Sequence, residues 1–548
     1  MSKHLDTNMT EGSIFRQLLF FSLPLLAGNF FQQCYNTVDS IVLGNFVGKA
    51  ALAAVGTTTP IINTLIGLFL GLSAGIGVVI SQFYGAKEEE KVGQAVQTGL
   101  LLVLLLCAVF TVVGILMVPA MLRLMATPED VFGEAKLYLQ IYFAGVSGLM
   151  LYNLGAGILR AVGDSRRPLY FLLFSAGVNT GLDLLFVAKF QWGIAGAAIA
   201  TILAQLLSAV LVLGVLTFTS SSCRIRWKGM RMQKGILRNM LVVGLPSGLQ
   251  LAITSFSNVF VQSYVNRFAS SCMAGWAAYQ KIDAFAILPM MTLSVSATTF
   301  VGQNVGAGNW NRAQKGTRMA LGMATVATVL ILIPLMIWAR PLCALFNQES
   351  QVLDFGVYFI RLISPFYLIA NFNQIYAGAL RGAGDAKMPM YIMLGSFVVF
   401  RQIYLLVTYQ CFGTLLPVAL GYPVGWVLCS VLLLGYSVSD TSVMKPVYHT
   451  LYDIGTCGWR YYWTSLDKAV EEGYPPVYFW RGNDDSMLGP AWMPGQYNDF
   501  EKALQACNVP YKRVTYQHAP HAIGTGNGTD AEGWMTQAAA FWEAHTTG

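Results

Sequence analysis

Asp183 stands inside an apolar stretch, FSAGVNTGLDLLF, where a carboxylate at a helix centre costs roughly 2.5–3.5 kcal/mol on membrane-insertion scales. Asn179 lies four residues earlier and therefore on the same helical face. Thr201, in GAAIATILAQ, offers a hydroxyl from the next apolar run, and Asp39, after CYNTV at the end of the first run, supplies a second carboxylate. Two carboxylates, an amide and a hydroxyl make an oxygen-only set suited to Na⁺. The same set could carry a proton, because burial and a like-charged neighbour both favour the neutral carboxyl. The competing reading is an aspartate that bonds a neighbouring backbone group at a helix irregularity.

The elements that must hold such a set are membrane spans. Of 548 residues, 55% are hydrophobic and only 11% charged, which excludes an ordinary soluble protein. A spanning helix needs about 20 mostly apolar residues. Runs of that kind lie near 14–36, 54–82, 94–118, 135–158, 168–188, 193–218, 236–264, 275–301, 316–338, 354–378, 389–411 and 415–437. An all-α membrane fold of twelve spans follows. The nine cysteines contain no C-x-x-C pair and no zinc spacing, so neither structural disulfides nor a metal centre is expected. The N-terminus, MSKHLDTNMTEGSIFRQ, is polar and carries no signal peptide.

Basic residues cluster in alternate connections, such as Arg160, Arg166 and Arg167, or Arg224, Arg226, Lys228 and Arg231 in SSSCRIRWKGMRMQKGILRN. Positive charge accumulates on the cytoplasmic side, so both ends of the span region are expected there. The same distribution assigns the excess charge to topology rather than to nucleic-acid binding.

The runs also repeat. LRAVGDSRRP (159–168) returns as LRGAGDAKMP (380–389), matching Arg160, Gly163, Asp164 and Pro168 to Arg381, Gly384, Asp385 and Pro389, 221 residues apart. The same offset pairs Gln82 and Gly85 with Gln303 and Gly306, and the helix-bending candidates Pro24 and Pro246 pair one residue out of step. Two six-helix halves insert in the same direction, as parallel repeats about an axis along the membrane normal. The expected domains are 1–220, a basic connection at 221–235, and 236–437.

The paired LRxxGD motifs, the opening LPLLAGNFFQQCYNTVDSIVLGNFVGKAALAAVG and TTFVGQNVGAGNWNRAQKGT resemble the multidrug and toxic compound extrusion (MATE) family over about residues 12–437. The resemblance implies a two-lobed exporter of a bacterial inner membrane, alternating between inward- and outward-open forms and driven by Na⁺ or H⁺. It also implies coupling roles for Asp39, Asn179, Asp183 and Thr201, which match the family's pattern. No cofactor is expected beyond that ion. The lipid bilayer and small amphipathic organic cations are the expected partners, and the chain is expected to act as a monomer.

The second half departs from its twin, since the offset puts Phe400 and Tyr404 opposite Asn179 and Asp183. It offers Arg401 and Gln402 instead, with Gln250, Asn258 and Gln262 as further cavity candidates; helix packing explains the amides equally well. Asp283 and Lys281 in YQKIDAFAILP read as a surface or cavity pair. A cavity of Met, Phe, Tyr and amides would suit cations through apolar and cation–π contact. A flippase for a lipid-linked precursor is the alternative transporter, and cavity-facing arginines would favour it; Arg401 alone qualifies in the sequence.

Composition changes near residues 437–445. Up to Asp440 the chain carries one His, 27 Lys+Arg and 16 Asp+Glu, whereas the remaining 108 residues carry four His, 7 basic and 11 acidic residues. After a junction at 438–473, residues 474–548 read as strand (PPVYFWRGNDD), helix (YNDFEKALQAC), strand (YKRVTYQ) and helix (GWMTQAAAFWEAH). They resemble the last third of an α/β-hydrolase of the esterase type. The resemblance implies Asp485 as the acid and His521 as the base. The nucleophile should lie upstream, and the one G-x-S-x-G, Gly71-Leu-Ser73-Ala-Gly75, falls mid-span. The tail is therefore expected to be an inactive fused remnant, with a cytoplasmic regulatory domain or a membrane-anchored esterase as alternatives.

Overall fold

A backbone that crosses hydrocarbon must satisfy its own N–H and C=O groups, and the apolar runs resolve into helices. The computed structural model describes residues 8–47, 49–125 and 127–439, with 35–46, 49–53, 56, 57, 60, 130 and 437–439 by backbone alone, together with 477–482 (side chain described only for Tyr478) and parts of 501–516 and 536–544. The first half contains α1 (Ile14–Phe46), α2 (Lys49–Gly85), α3 (Glu89–Leu124), α4 (Glu129–Ala144), α5 (Val146–Ala161), α6 (Arg166–Asp183) and α7 (Gly193–Phe218). The second contains α8 (Lys234–Val265), α9 (Ser270–Ala286), α10 (Leu288–Gly306), α11 (Trp310–Ile337), α12 (Ala339–Ala344), α13 (Ser350–Ile363), α14 (Tyr367–Gly382), α15 (Lys387–Leu394), α16 (Arg401–Phe412), α17 (Leu415–Ala419) and α18 (Gly421–Ser439).

Among the described residues, ten helices are long and apolar enough to cross a bilayer, and the pair α4/α5, bent by 47°, makes an eleventh. Twelve were expected. The last run, 415–437, is divided at Leu420 just before Gly421 and Pro423, into α17 and α18. Large apolar side chains point outward along the spans: Leu116 is 73% exposed and Leu330 66%. On a soluble monomer that much apolar surface would be exceptional; on a span it faces lipid.

The repeat is visible in the irregularities. The α4/α5 break at Gly145 corresponds, 221 residues on, to the 3₁₀ turn Ser364–Phe366 between α13 and α14. Each half also contains a six-residue π-helical segment, Leu184–Lys189 after α6 and Gly395–Phe400 before α16. These two are not at equivalent positions, so the halves differ at the places where the sequence puts their charged residues.

The halves meet along α2 and α8, where glycine lets the backbones touch. A Cβ on Gly71 would lie 2.1 Å from Gly248 N, and one on Gly75 2.4 Å from Gly244 Cα. Ser73 sits between these glycines in continuous helix, buried and donating to the Asn153 carbonyl at 2.8 Å. A strained strand-to-helix elbow is not what this segment forms, so its G-x-S-x-G spacing reflects helix contact.

The chain divides into two units, Met1–Leu434 and Gly435–Gly548. Within the second, β1 (Val477–Gly482) and β2 (Tyr511–Tyr516) pair in parallel, from Val477 opposite Tyr511 to Gly482 opposite Tyr516. Both strands lie where the sequence predicts them, and helical residues occur within both expected helices. Asp485 and His521 lie outside the described residues.

Candidate functional site

The irregularity at the end of α6 positions the carboxylate. Asp183 is the last α-helical residue before the π segment, in which Phe190 N–H donates to Leu185 O at 2.9 Å, five residues back. Such segments widen the helix locally and recur at functional sites. Asp183 and Asn179 are each 1% exposed. With its amide oriented to suit its neighbours, Asn179 donates to Asp183 Oδ2 at 2.8 Å and accepts from the Thr201 backbone N–H at 3.1 Å. The Thr201 hydroxyl donates to Ala197 O at 3.0 Å and keeps its lone pairs to offer.

Three of the four expected coupling residues are therefore together. Asp39 belongs to α1, which packs against α6, the π segment and α7. Its side chain lies outside the described residues.

Beside this constellation runs a cleft of about 270 Å³ between α1, α5, α6 and α7. Asn179 and Thr201 line it, along with Pro24 of α1 and the amides of Gln32, Asn153 and Gln205. Among the described residues, Arg160 is its only charged lining residue. A second cleft of about 730 Å³ lies between α1, α9, α11 and α12 and is lined by apolar side chains and Lys281. Although larger, it has almost no polar group with which to orient a ligand.

In the second half Arg401 is packed inside the lobe. Arg401 is 3% exposed; one Nη donates to Ser257 Oγ at 3.0 Å and Asn258 Oδ1 at 2.9 Å, and the guanidinium stacks 4.7 Å from the Tyr422 ring. Gln402 also bonds Ser257, Gln250 donates to Met393 Sδ, and Gln262 accepts from Trp276 Nε1 at 2.9 Å. None of these five cavity candidates lines either cleft. Pro246 is buried inside α8. The structure adds a group that sequence reasoning left as a simple pair: Asp283 accepts from the hydroxyls of Tyr279 (3.3 Å) and Tyr367. The signal for Tyr279 was its i−4 spacing; Tyr367 arrives only through tertiary packing.

The repeated motifs occupy one end of the bundle. Gly163 (φ +89°) and Gly384 (φ +98°) take the left-handed conformation that favours glycine. Asp164 caps the following helix through the Arg166 and Arg167 amides at 3.0 and 3.1 Å and meets Arg167 Nε at 3.4 Å, while Asp385 accepts from Met388 N. Pro168 and Pro389 lie in the first turns of α6 and α15, where a missing N–H is harmless.

Here the halves are joined reciprocally. Gln82 donates to Gly382 O at 3.0 Å, and Gln303 donates to Ala161 O at 2.8 Å. Donors and acceptors are both related by the 221-residue offset. A Cβ on Gly85 would lie 1.9 Å from Gln303 O, and one on Gly306 1.9 Å from Gln82 O. The N-terminal segment crosses the same end, with Met9 N–H donating to Gln303 Oε1 at 2.9 Å and Arg312 donating to the Met9 carbonyl at 3.2 Å.

The family model described as MatE matches residues 24–185 and 246–405, one stretch in each half. The probable multidrug resistance protein YpnP of Bacillus subtilis is 32% identical over 395 residues, 72% of this chain and 88% of that protein. A protein of Shewanella oneidensis named as an FAD transporter is 26% identical over 405 residues, 71% and 87% of the two chains. Among solved structures, a MOP superfamily transporter from Pyrococcus furiosus superposes with a TM-score of 0.76 at 23% identity, over 81% of this chain and 99% of that one.

Proposed function

This chain belongs to the MatE family, and from that premise we propose that it is a cation-coupled antiporter exporting amphipathic organic compounds by alternating access. Multidrug resistance names among its relatives support a drug-like cargo. Amphipathic cations are the cargo expected from the sequence; the relative named for FAD widens that range to phosphate-bearing compounds. The observation that carries the coupling reading is the buried Asp183–Asn179 contact, held at a π segment beside a polar cleft in one half only.

Asp183, Asn179, Thr201 and Asp39 would hold the coupling ion, Na⁺ or H⁺. Asp183 supplies negative charge, the Asn179 amide fixes one of its oxygens, and Thr201 adds a neutral ligand from α7. Loading the ion neutralises a charge whose burial is otherwise costly, and this difference between loaded and empty states biases the lobes.

The reciprocal Gln82 and Gln303 bonds support a closed end at the repeat motifs. The basic connections support assigning that end, and both termini of the span region, to the cytoplasm, which makes outward-facing the reading of this form. The test is uptake into vesicles of purified protein, under Na⁺ and H⁺ gradients imposed separately. One gradient should drive transport and Asp183→Asn should abolish it. Transport that persists in Asp183→Asn with its ion dependence intact would sink the reading.

A further inference from the structure

We infer that the cleft of the first half binds the anionic group of its cargo, a carboxylate or phosphate, through Arg160. The inference rests on the exporter reading and specifies the substrate class of that same half. Arg160 is half-buried in the last turn of α5 and lines the cleft. The aspartate of its own motif caps α6 and pairs with Arg167. No described carboxylate forms an ion pair with it.

The groups around Arg160 are neutral. Tyr152 donates its hydroxyl to Pro168 O at 3.2 Å and Asn153 donates to Leu149 O at 2.9 Å, and neither carries a negative charge to neutralise the guanidinium. A desolvated guanidinium with open donors is a receptor for a carboxylate or phosphate oxygen, which it can grip with two parallel hydrogen bonds. The apolar walls, from α1 and the start of α6, would take the organic body; Leu25 and Leu169 are among them. An organic cation entering the same cleft would meet the positive charge of Arg160.

An arginine in the last turn of a helix is also favoured by the helix dipole alone. Its twin Arg381, in the last turn of α14, has that advantage equally. What separates the two is the cleft that Arg160 lines, and Arg381 is therefore the control.

The test is equilibrium binding to the purified full chain, which needs no ion gradient and so stands apart from the transport assay. Three fluorescent probes share one apolar body: 1-pyrenebutyrate, its methyl ester and pyrenebutyl-trimethylammonium. The butyrate should bind at least tenfold tighter than the ammonium. Arg160→Gln should erase that preference, Arg160→Lys should keep part of it, and Arg381→Gln should leave it unchanged. Displacement of the butyrate by dihexanoyl phosphatidic acid marks a lipid headgroup as the source, and displacement by soluble carboxylates alone marks a free organic acid; either outcome supports an anion site. Equal affinity for the three probes in the unaltered protein overturns the inference even if no variant folds. So does an equal loss of all three probes in Arg160→Gln and Arg381→Gln.

Discussion

At the scale of single residues, burial has opposite meanings for the charges of the two halves. Asp183 is buried but touches an amide that reaches toward a cleft, whereas Arg401 is buried in bonds that close on themselves. Asn179→Leu should therefore impair transport more than stability, because it removes the group that orients Asp183. Arg401→Ala should do the reverse. It deletes two charge-assisted hydrogen bonds and a cation–π contact, and leaves Asn258 and Ser257 poorly paired. A loss of about 2–4 kcal/mol is expected, read as a lower unfolding midpoint in detergent, with the ion dependence of residual transport unchanged. Asp183 and Asn179 were legible in the sequence because a polar pair at i, i+4 in an apolar run has few other uses. Arg160 was legible only as a repeat landmark. That it lines a cleft depends on how α5 packs against α1, α6 and α7, and spacing does not encode that.

At the scale of elements, glycine and glutamine decide how the halves meet. A Cβ at Gly85 or Gly306 would fall 1.9 Å from a backbone carbonyl oxygen of the other half, so a methyl group at either must push the ends of α2 and α10 apart. Gly85→Ala and Gly306→Ala should each shift the protein toward the form open at the repeat motifs. The measurement is the rate at which a thiol reagent reaches a cysteine introduced at Ala161, which should rise several-fold. Gln82→Ala together with Gln303→Ala should raise it further, since both reciprocal bonds are lost. The glutamines and glycines were visible as repeat partners. Their crossed pairing was not, because a parallel repeat gives equivalent positions without saying that each will bond the other half.

At the scale of the whole molecule, the transporter and the tail are separate matters. The MatE match ends at residue 405, and the unit from Gly435 onward has its own two-stranded parallel sheet. Ending the chain after Ser439 should leave the transport rate and its ion dependence within about twofold of the full chain. Loss of transport on truncation would instead give the tail a regulatory role.

The sequence by itself determined the membrane-spanning class, the two-fold repeat and the positions at which charge enters the spans. Those follow from hydropathy, offset and composition, which are properties of one chain read along its length. Tertiary structure alone decided which charges face a cleft and which are closed off, and how the last apolar run divides. It also decided that the equivalent glutamines of the two halves cross to each other's motifs. The physical reason is that a buried charge is judged by its partners, and those partners come from helices far apart in the chain.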